Sequence, residues 1–238
     1  MTKPYLLIGS GGTGSHALPV LIPYLTTFHG GVDREVWVLG VMDGDTVEEK
    51  NLERQLFEPA MVTMNKAEAA TLPYRYATNV ISIPHYLGAD NIDKYIYDGV
   101  TIFIAVDNFP VRALIEDKVK TLENAVVINA GNEFDTGSCQ VWIRKNGQDL
   151  TPPISFMHPE IRRSGAANRA DMTCQEVAQL PGGEQLIVTN MASAMYMTLA
   201  LMMVNGDSGI NWTELQFDLA KPANTYSTDL REDAGILV

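Results

Sequence analysis

Cysteine is scarce in this chain: two residues in 238, Cys139 and Cys174, with no Cys-x-x-Cys pair. Neither a disulfide framework nor a tetrahedral zinc site can be built from them, so no structural zinc is expected and a reducing compartment is the simplest setting. Basic residues are also in deficit, 17 Lys plus Arg against 29 Asp plus Glu, for a formal net charge of −12. Coating a nucleic-acid backbone needs clustered cations, so no nucleic-acid partner is expected. One pocket can still bind a nucleotide, because net charge does not fix local charge. Long apolar runs are missing too: the apolar stretch Met191 to Val204, fourteen residues, falls short of the roughly 20 that span a bilayer. The start, Met1 to Ile8, does not read as a signal peptide. No membrane partner is expected, and the expected location is cytoplasmic. Finally, no G-K-[ST] is present, which excludes a Walker-type P-loop.

What is present is an alternation of buried strands and helices. Apolar runs at Tyr5–Ile8, Glu35–Met42, Asn79–Pro84, Val100–Val106 and Ala125–Ala130 read as strands, and Ser138–Arg144 alternates well enough to be another. Between them, Ala17–Phe28, Asn65–Tyr76 and Asp90–Tyr97 read as helices, the first bent or short because Pro19 and Pro23 interrupt it. Val111, Leu114, Ile115, Val119 and Leu122 form the apolar stripe of a further helix. Residues 147–183 are proline-containing and aperiodic, as a functional crossover loop would be. Glu184–Val204 returns to helix, Thr213–Leu219 reads as a closing strand, and an irregular tail is expected from Lys221. The expected fold is α/β: a Rossmann-like, doubly wound, mainly parallel sheet with a long crossover loop and an antiparallel C-terminal part. One domain is expected over 1–238, with a nucleotide-binding core (1–146), the loop (147–183) and a C-terminal helix and strand (184–238).

Three segments carry chemistry. Gly9-Ser10-Gly11-Gly12-Thr13-Gly14 satisfies G-x-G-x-x-G between a strand and a helix, where missing side chains and a helix N-terminus favour phosphate. The polar run Asp43 to Gln55 follows the second strand and has too little apolar periodicity to pack a core. Asp43 or Asp45 is placed to bind ribose, while Asn51, Arg54, Gln55 and the downstream Lys66 could neutralise a polyphosphate. Asp107-Asn108 ends a buried strand, where the open-sheet rule puts ligands; Asp107 could hold magnesium with substrate phosphates, or either residue could cap the next helix. The glycine motif and Asp43 alone would also allow an NAD(P)-dependent oxidoreductase.

Taken together, Gly9 to Ser15, Asn51-Leu52, Arg54-Gln55, Lys66 and Val106-Asp107-Asn108 followed by Arg112 resemble the ThiF/MoeB/HesA superfamily, the adenylating fold of ubiquitin-activating enzymes. That resemblance implies ATP-dependent adenylation of a carboxylate, most often the C-terminus of a small ubiquitin-like or sulfur-carrier protein, by a homodimer using Mg2+. It implies that Gly11, Gly12 and Gly14 line the phosphates, Asp43 binds ribose, Asn51, Arg54 and Lys66 contact the triphosphate, and Asp107 binds magnesium. An arginine that many relatives donate to the partner's ATP has candidates in Arg162, Arg163 and Arg169. Cys174 occupies the place of a thioester-forming cysteine in some relatives, or is incidental; Cys139 is expected in the core and His16 on a helix face. The reduced apparatus would also suit a non-catalytic partner-binding module on the same fold.

Overall fold

The computed structural model describes residues 2–30, 36–162, 186–206, 209–221 and 225–229. Strands β1 (Thr2–Ile8), β2 (Val36–Met42), β3 (Val80–Ile83), β4 (Val100–Ile104) and β5 (Ala125–Asn132) run parallel in the spatial order β3-β2-β1-β4-β5. The sheet continues antiparallel through β6 (Thr136–Lys145), β8 (Trp212–Asp218) and β9 (Tyr226–Asp229), with the two-residue β7 (Gln148–Asp149) paired to β6. The α/β sheet with an antiparallel C-terminal part is therefore present. The segment after Lys221, expected to be irregular, instead supplies β9, whose pairing covers the otherwise open edge of β8.

The parallel strands are apolar throughout because both faces are covered. In β1, Tyr5 and Leu7 enter one core while Leu6 and Ile8 enter the other. The first core is closed by α1 (Gly12–His29), α2 (Lys66–Thr71) and α6 (Ile187–Asn205), the second by α3 (Ile92–Tyr95), α4 (Phe109–Val119) and α5 (Ile154–Met157). Helix α1 is not short: it runs eighteen residues with both prolines inside it. Pro19 and Pro23 are one turn apart and both exposed, so their rings lie on the solvent-facing side of the helix. Helix α2 is shorter than expected, because Pro73 has no N–H for the Ala69 carbonyl; Leu72 N–H bonds that carbonyl in a tighter turn. Helix α6, nineteen residues without a charge, would suit a membrane span by length and composition alone. One face of it is buried, however, with Ala194, Met197, Ala200 and Leu201 in the first core. Of the expected loop 147–183, the part to 162 contains β7, α5 and a tight turn at Pro159–Arg162. Cys174, Arg163 and Arg169 lie outside the described residues.

The turn from β1 into α1 is the tightest point of the fold. Gly9 has φ 90°, and a Cβ on it would meet the Ala105 carbonyl oxygen at 2.7 Å. A Cβ on Gly14 would lie 1.9 Å from the Gly9 carbonyl oxygen. On the opposite face, Glu116 of α4 is fully buried and joins three elements. Its carboxylate accepts from Lys120 Nζ (2.8 Å), from Ser155 N and Oγ (2.9 and 2.7 Å) and from Arg162 Nη2 (2.7 Å). Burial alone would raise this carboxyl, but the bonds from Lys120, Ser155 and Arg162 overcome it and pull the pKa down to about 2.

Two consequences can be measured. Gly14→Ala should lower the unfolding free energy by about 3 kcal/mol or more in denaturant titration, since the added carbon has no space. Glu116 has a depressed folded-state pKa, so its stabilisation is complete above the unfolded value of 4.5 and fades as pH falls towards about 2. Denaturation curves from pH 5 to 2 should show that loss, and Glu116→Gln, weaker at neutral pH, should show a shallower acid limb.

Candidate functional site

The parallel strands reverse their connection order between β1 and β4, and in open α/β sheets ligands bind beyond the strand ends at such a point. A cleft of about 1830 Å³ lies there, lined by the glycine loop, the run from Asp43 to Gln55, Lys66 and the segment after β4. Of the residues singled out from sequence, Gly11, Gly12, Asp43, Asp45, Asn51, Arg54, Gln55, Lys66, Asp107 and Asn108 all line it, as does Gly9. Gly14 supports the loop from behind, through its contact with Gly9.

Asp43 fastens two of these segments together. Its Oδ2 accepts from Ser10 N at 2.7 Å and Ser10 Oγ at 3.2 Å, and its Oδ1 accepts from Asp45 N at 2.9 Å. Asp45, left open beside Asp43 as a ribose ligand, is committed elsewhere. Its Oδ2 accepts from Lys66 Nζ at 2.9 Å and its Oδ1 from the Tyr86 hydroxyl. Partial burial would raise the Asp45 carboxyl, but the bonds from Tyr86 and Lys66 bring it below its usual value. The same bond to Asp45 pushes the Tyr86 phenol up to about 12. Lys66 is not a free surface cation: it is buried, and Asn65 caps α2 beneath it while bonding the Asp43 and Asp45 carbonyls at 2.9 and 3.1 Å. One of its three ammonium hydrogens is used by Asp45.

Within the tight turn Glu49–Glu53, the Asn51 Oδ1 accepts from Glu48 N at 2.9 Å, so this amide oxygen builds the turn. Arg54 follows as the cap of that turn, and its guanidinium makes no ion pair among the described residues. Its carbonyl accepts from Asn190 Nδ2 at 3.1 Å and lies 3.3 Å from His16 Nε2. His16 is buried, and burial lowers its pKa despite that contact. Gln55 sits against Gly11 with a buried Oε1 that has no hydrogen-bond partner among the described residues.

After β4 the helix cap falls to one of the two residues. Asn108 caps α4, its Oδ1 accepting from Val111 N at 3.1 Å. Asp107 is left exposed on the cleft wall. Arg112 turns back to give two hydrogen bonds to the Val106 carbonyl, at 3.1 and 2.7 Å, and burial lowers its pKa. Arg162, a candidate for a donated arginine, is bound to its own chain by Glu116 and Asp117 and does not line the cleft. Cys139 is fully buried, and burial pushes its thiol up, as suits a core residue.

Sequence reasoning missed four participants. Tyr86 in the segment after β3, Asn132 at the end of β5 and Asn190 on α6 are isolated polar residues, and no local spacing marks them. His158 lies at the far side of the cleft between Glu214 (2.7 Å) and Glu160 (2.9 Å), and the Glu214 bond above all raises its pKa.

Comparison with known proteins agrees with this geometry. The model of the ThiF family matches residues 2–228. The adenylyltransferase and sulfurtransferase UBA4 of Candida glabrata is 31% identical over 130 residues, covering 53% of this chain and 28% of that protein. Among solved structures, E. coli MccB with ATP superposes with a TM-score of 0.65 at 15% identity, covering 96% of this chain and 63% of that one. PaaA gives the same TM-score and identity, covering 96% and 64%. This chain therefore spans less than two thirds of the length of each of these relatives. At such low identity the two structures speak for the fold alone, but the family match covers nearly the whole chain: it belongs to the ThiF family.

Proposed function

We propose that the protein adenylates a carboxylate with ATP, the substrate being the C-terminus of a small ubiquitin-like or sulfur-carrier protein or of a peptide. The observation that carries this reading is the pairing of Arg54 and Asp107. They are opposite charges on the walls of one cleft, and neither is consumed by an ion pair among the described residues. Family membership supports it, as does the description of the UBA4 relative as an adenylyltransferase. It also sets aside the oxidoreductase alternative, which has no use for Arg54.

The reaction joins a carboxylate oxygen to the α-phosphorus and breaks the bond to the β-phosphate, whose oxygen leaves with the electron pair as pyrophosphate. The chain must hold anions together and stabilise charge on the departing oxygens. Amides at the start of α1 face the phosphates, Asp43 accepts from ribose, and Arg54 binds the triphosphate. Lys66 adds charge with the two hydrogens that Asp45 leaves free. Magnesium, which takes one or two carboxylates and fills its shell with phosphate and water, fits Asp107 and would offset phosphate charge.

A homodimer and a cytoplasmic location are proposed with it. Val188, Met191, Met195, Leu199 and Met202 make an exposed apolar stripe along α6, a surface that a second copy could cover by the same stripe.

In ATP–pyrophosphate exchange with a small protein ending in Gly-Gly or a short peptide as the carboxylate, Arg54→Ala and Asp107→Ala should each slow exchange by about a hundred-fold or more. Their circular dichroism and melting should stay unchanged. Full exchange by Asp107→Ala would contradict the role given to Asp107, and no exchange by the parent protein would favour a binding module instead. Light scattering after gel filtration should give twice the chain mass, and Met195→Glu should give one chain mass; a monomeric parent would contradict the dimer.

A further inference from the structure

The carbonyl of Arg54 is held from α6, more than a hundred residues away in sequence, and the bond belongs to a continuous chain of side chains. Thr13 Oγ1 donates to Asn132 Oδ1 at 3.1 Å, Asn132 Nδ2 donates to Asn190 Oδ1 at 2.9 Å, and Asn190 Nδ2 donates to the Arg54 carbonyl at 3.1 Å. The direction of the chain is fixed at one end. A carbonyl can only accept, so the Asn190 nitrogen must face Arg54 and its oxygen must face Asn132. Asn190 is fully buried, and its amide lies so close to the glycine loop that a Cβ on Gly12 would meet it at 2.7 Å. One side chain thus touches the phosphate loop, the end of β5 and the backbone of the candidate phosphate-binding arginine. Two residues on, the chain is tied down separately, Leu56 N donating to Ser15 Oγ at 3.0 Å.

We infer that Asn190 is a positioning residue for the nucleotide site, fixing the Arg54 backbone against the glycine loop so that the guanidinium meets the phosphates. The inference rests on the adenylation reading, since it needs a polyphosphate in the cleft. It also assigns α6 a share in the site: the helix packs on α1 and reaches across to the turn at 51–54 through this amide. Asn190→Asp keeps the volume and the acceptor for Asn132 but opposes an oxygen to the Arg54 carbonyl, whereas Asn190→Ala removes both bonds.

The test is equilibrium binding of ATP with magnesium to the full chain, followed by fluorescence of a labelled ATP analogue and its displacement. Asn190→Ala and Asn190→Asp should each bind about ten-fold more weakly. The decisive arm is a double-mutant cycle with Arg54→Ala. If Asn190 acts through Arg54, adding Asn190→Ala to Arg54→Ala should cost no further affinity, although each alone is costly. Melting temperature keeps a stabilising role separate: a merely structural amide would lower it equally in both backgrounds and leave affinity at saturating folding conditions untouched. Additive losses of affinity, or unaltered ATP binding by folded Asn190→Asp, would overturn the inference while leaving adenylation standing. Absence of ATP binding by the parent protein would overturn the adenylation reading itself.

Discussion

The bond from Ser10 N to the Asp43 carboxylate, 2.7 Å long, is the constraint on which the site depends. It joins the turn after β1 to the turn after β2, beyond the strand pairing beneath them. With Ser10 held, the glycine loop cannot lift away from the sheet, and α1 starts where its free amides face the cleft. With Asp43 held, the polar run leaves β2 in a fixed direction. From there the Asp45 and Lys66 pair and the Asn65 cap bring the start of α2 into the same wall. The sheet supplies the frame, and a few carboxylate and amide contacts set its upper rim.

Glycine is the other half of that constraint. Gly9 and Gly14 are required because backbone meets backbone, and Gly12 because a buried amide from α6 occupies the space a side chain would need. These glycines of the motif therefore allow close internal packing, while Gly9 and Gly12 also line the cleft. Gly11 has ordinary room around it, its nearest neighbour being Gln55 at 3.7 Å.

The sequence made the parallel half of the fold readable because strands covered on both faces must be continuously apolar, as Val100–Ile104 is. The site's position was readable for the same reason, since polar residues that directly follow such strands face the cleft. What could not be read was how those polar groups divide their bonds. Asp43 and Asp45 look alike in sequence, yet one holds the glycine loop and the other holds Lys66 and Tyr86. Asp107 and Asn108 compete for one cap, and only the placement of α4 gives it to Asn108. β9 escaped notice because it is short and polar, and exists through its pairing with β8. Asn132 and Asn190 belong to the site only through tertiary packing, 58 residues apart along the chain.

The central claim is that one nucleotide triphosphate lies across the glycine loop between Arg54 and Asp107. A crystal structure with magnesium and a non-hydrolysable ATP analogue tests it directly. The account predicts phosphate oxygens on the amides at the start of α1, ribose hydroxyls on Asp43 and the Arg54 guanidinium within hydrogen-bond reach of the triphosphate. A nucleotide bound elsewhere, or phosphates with no contact to Arg54, would contradict it.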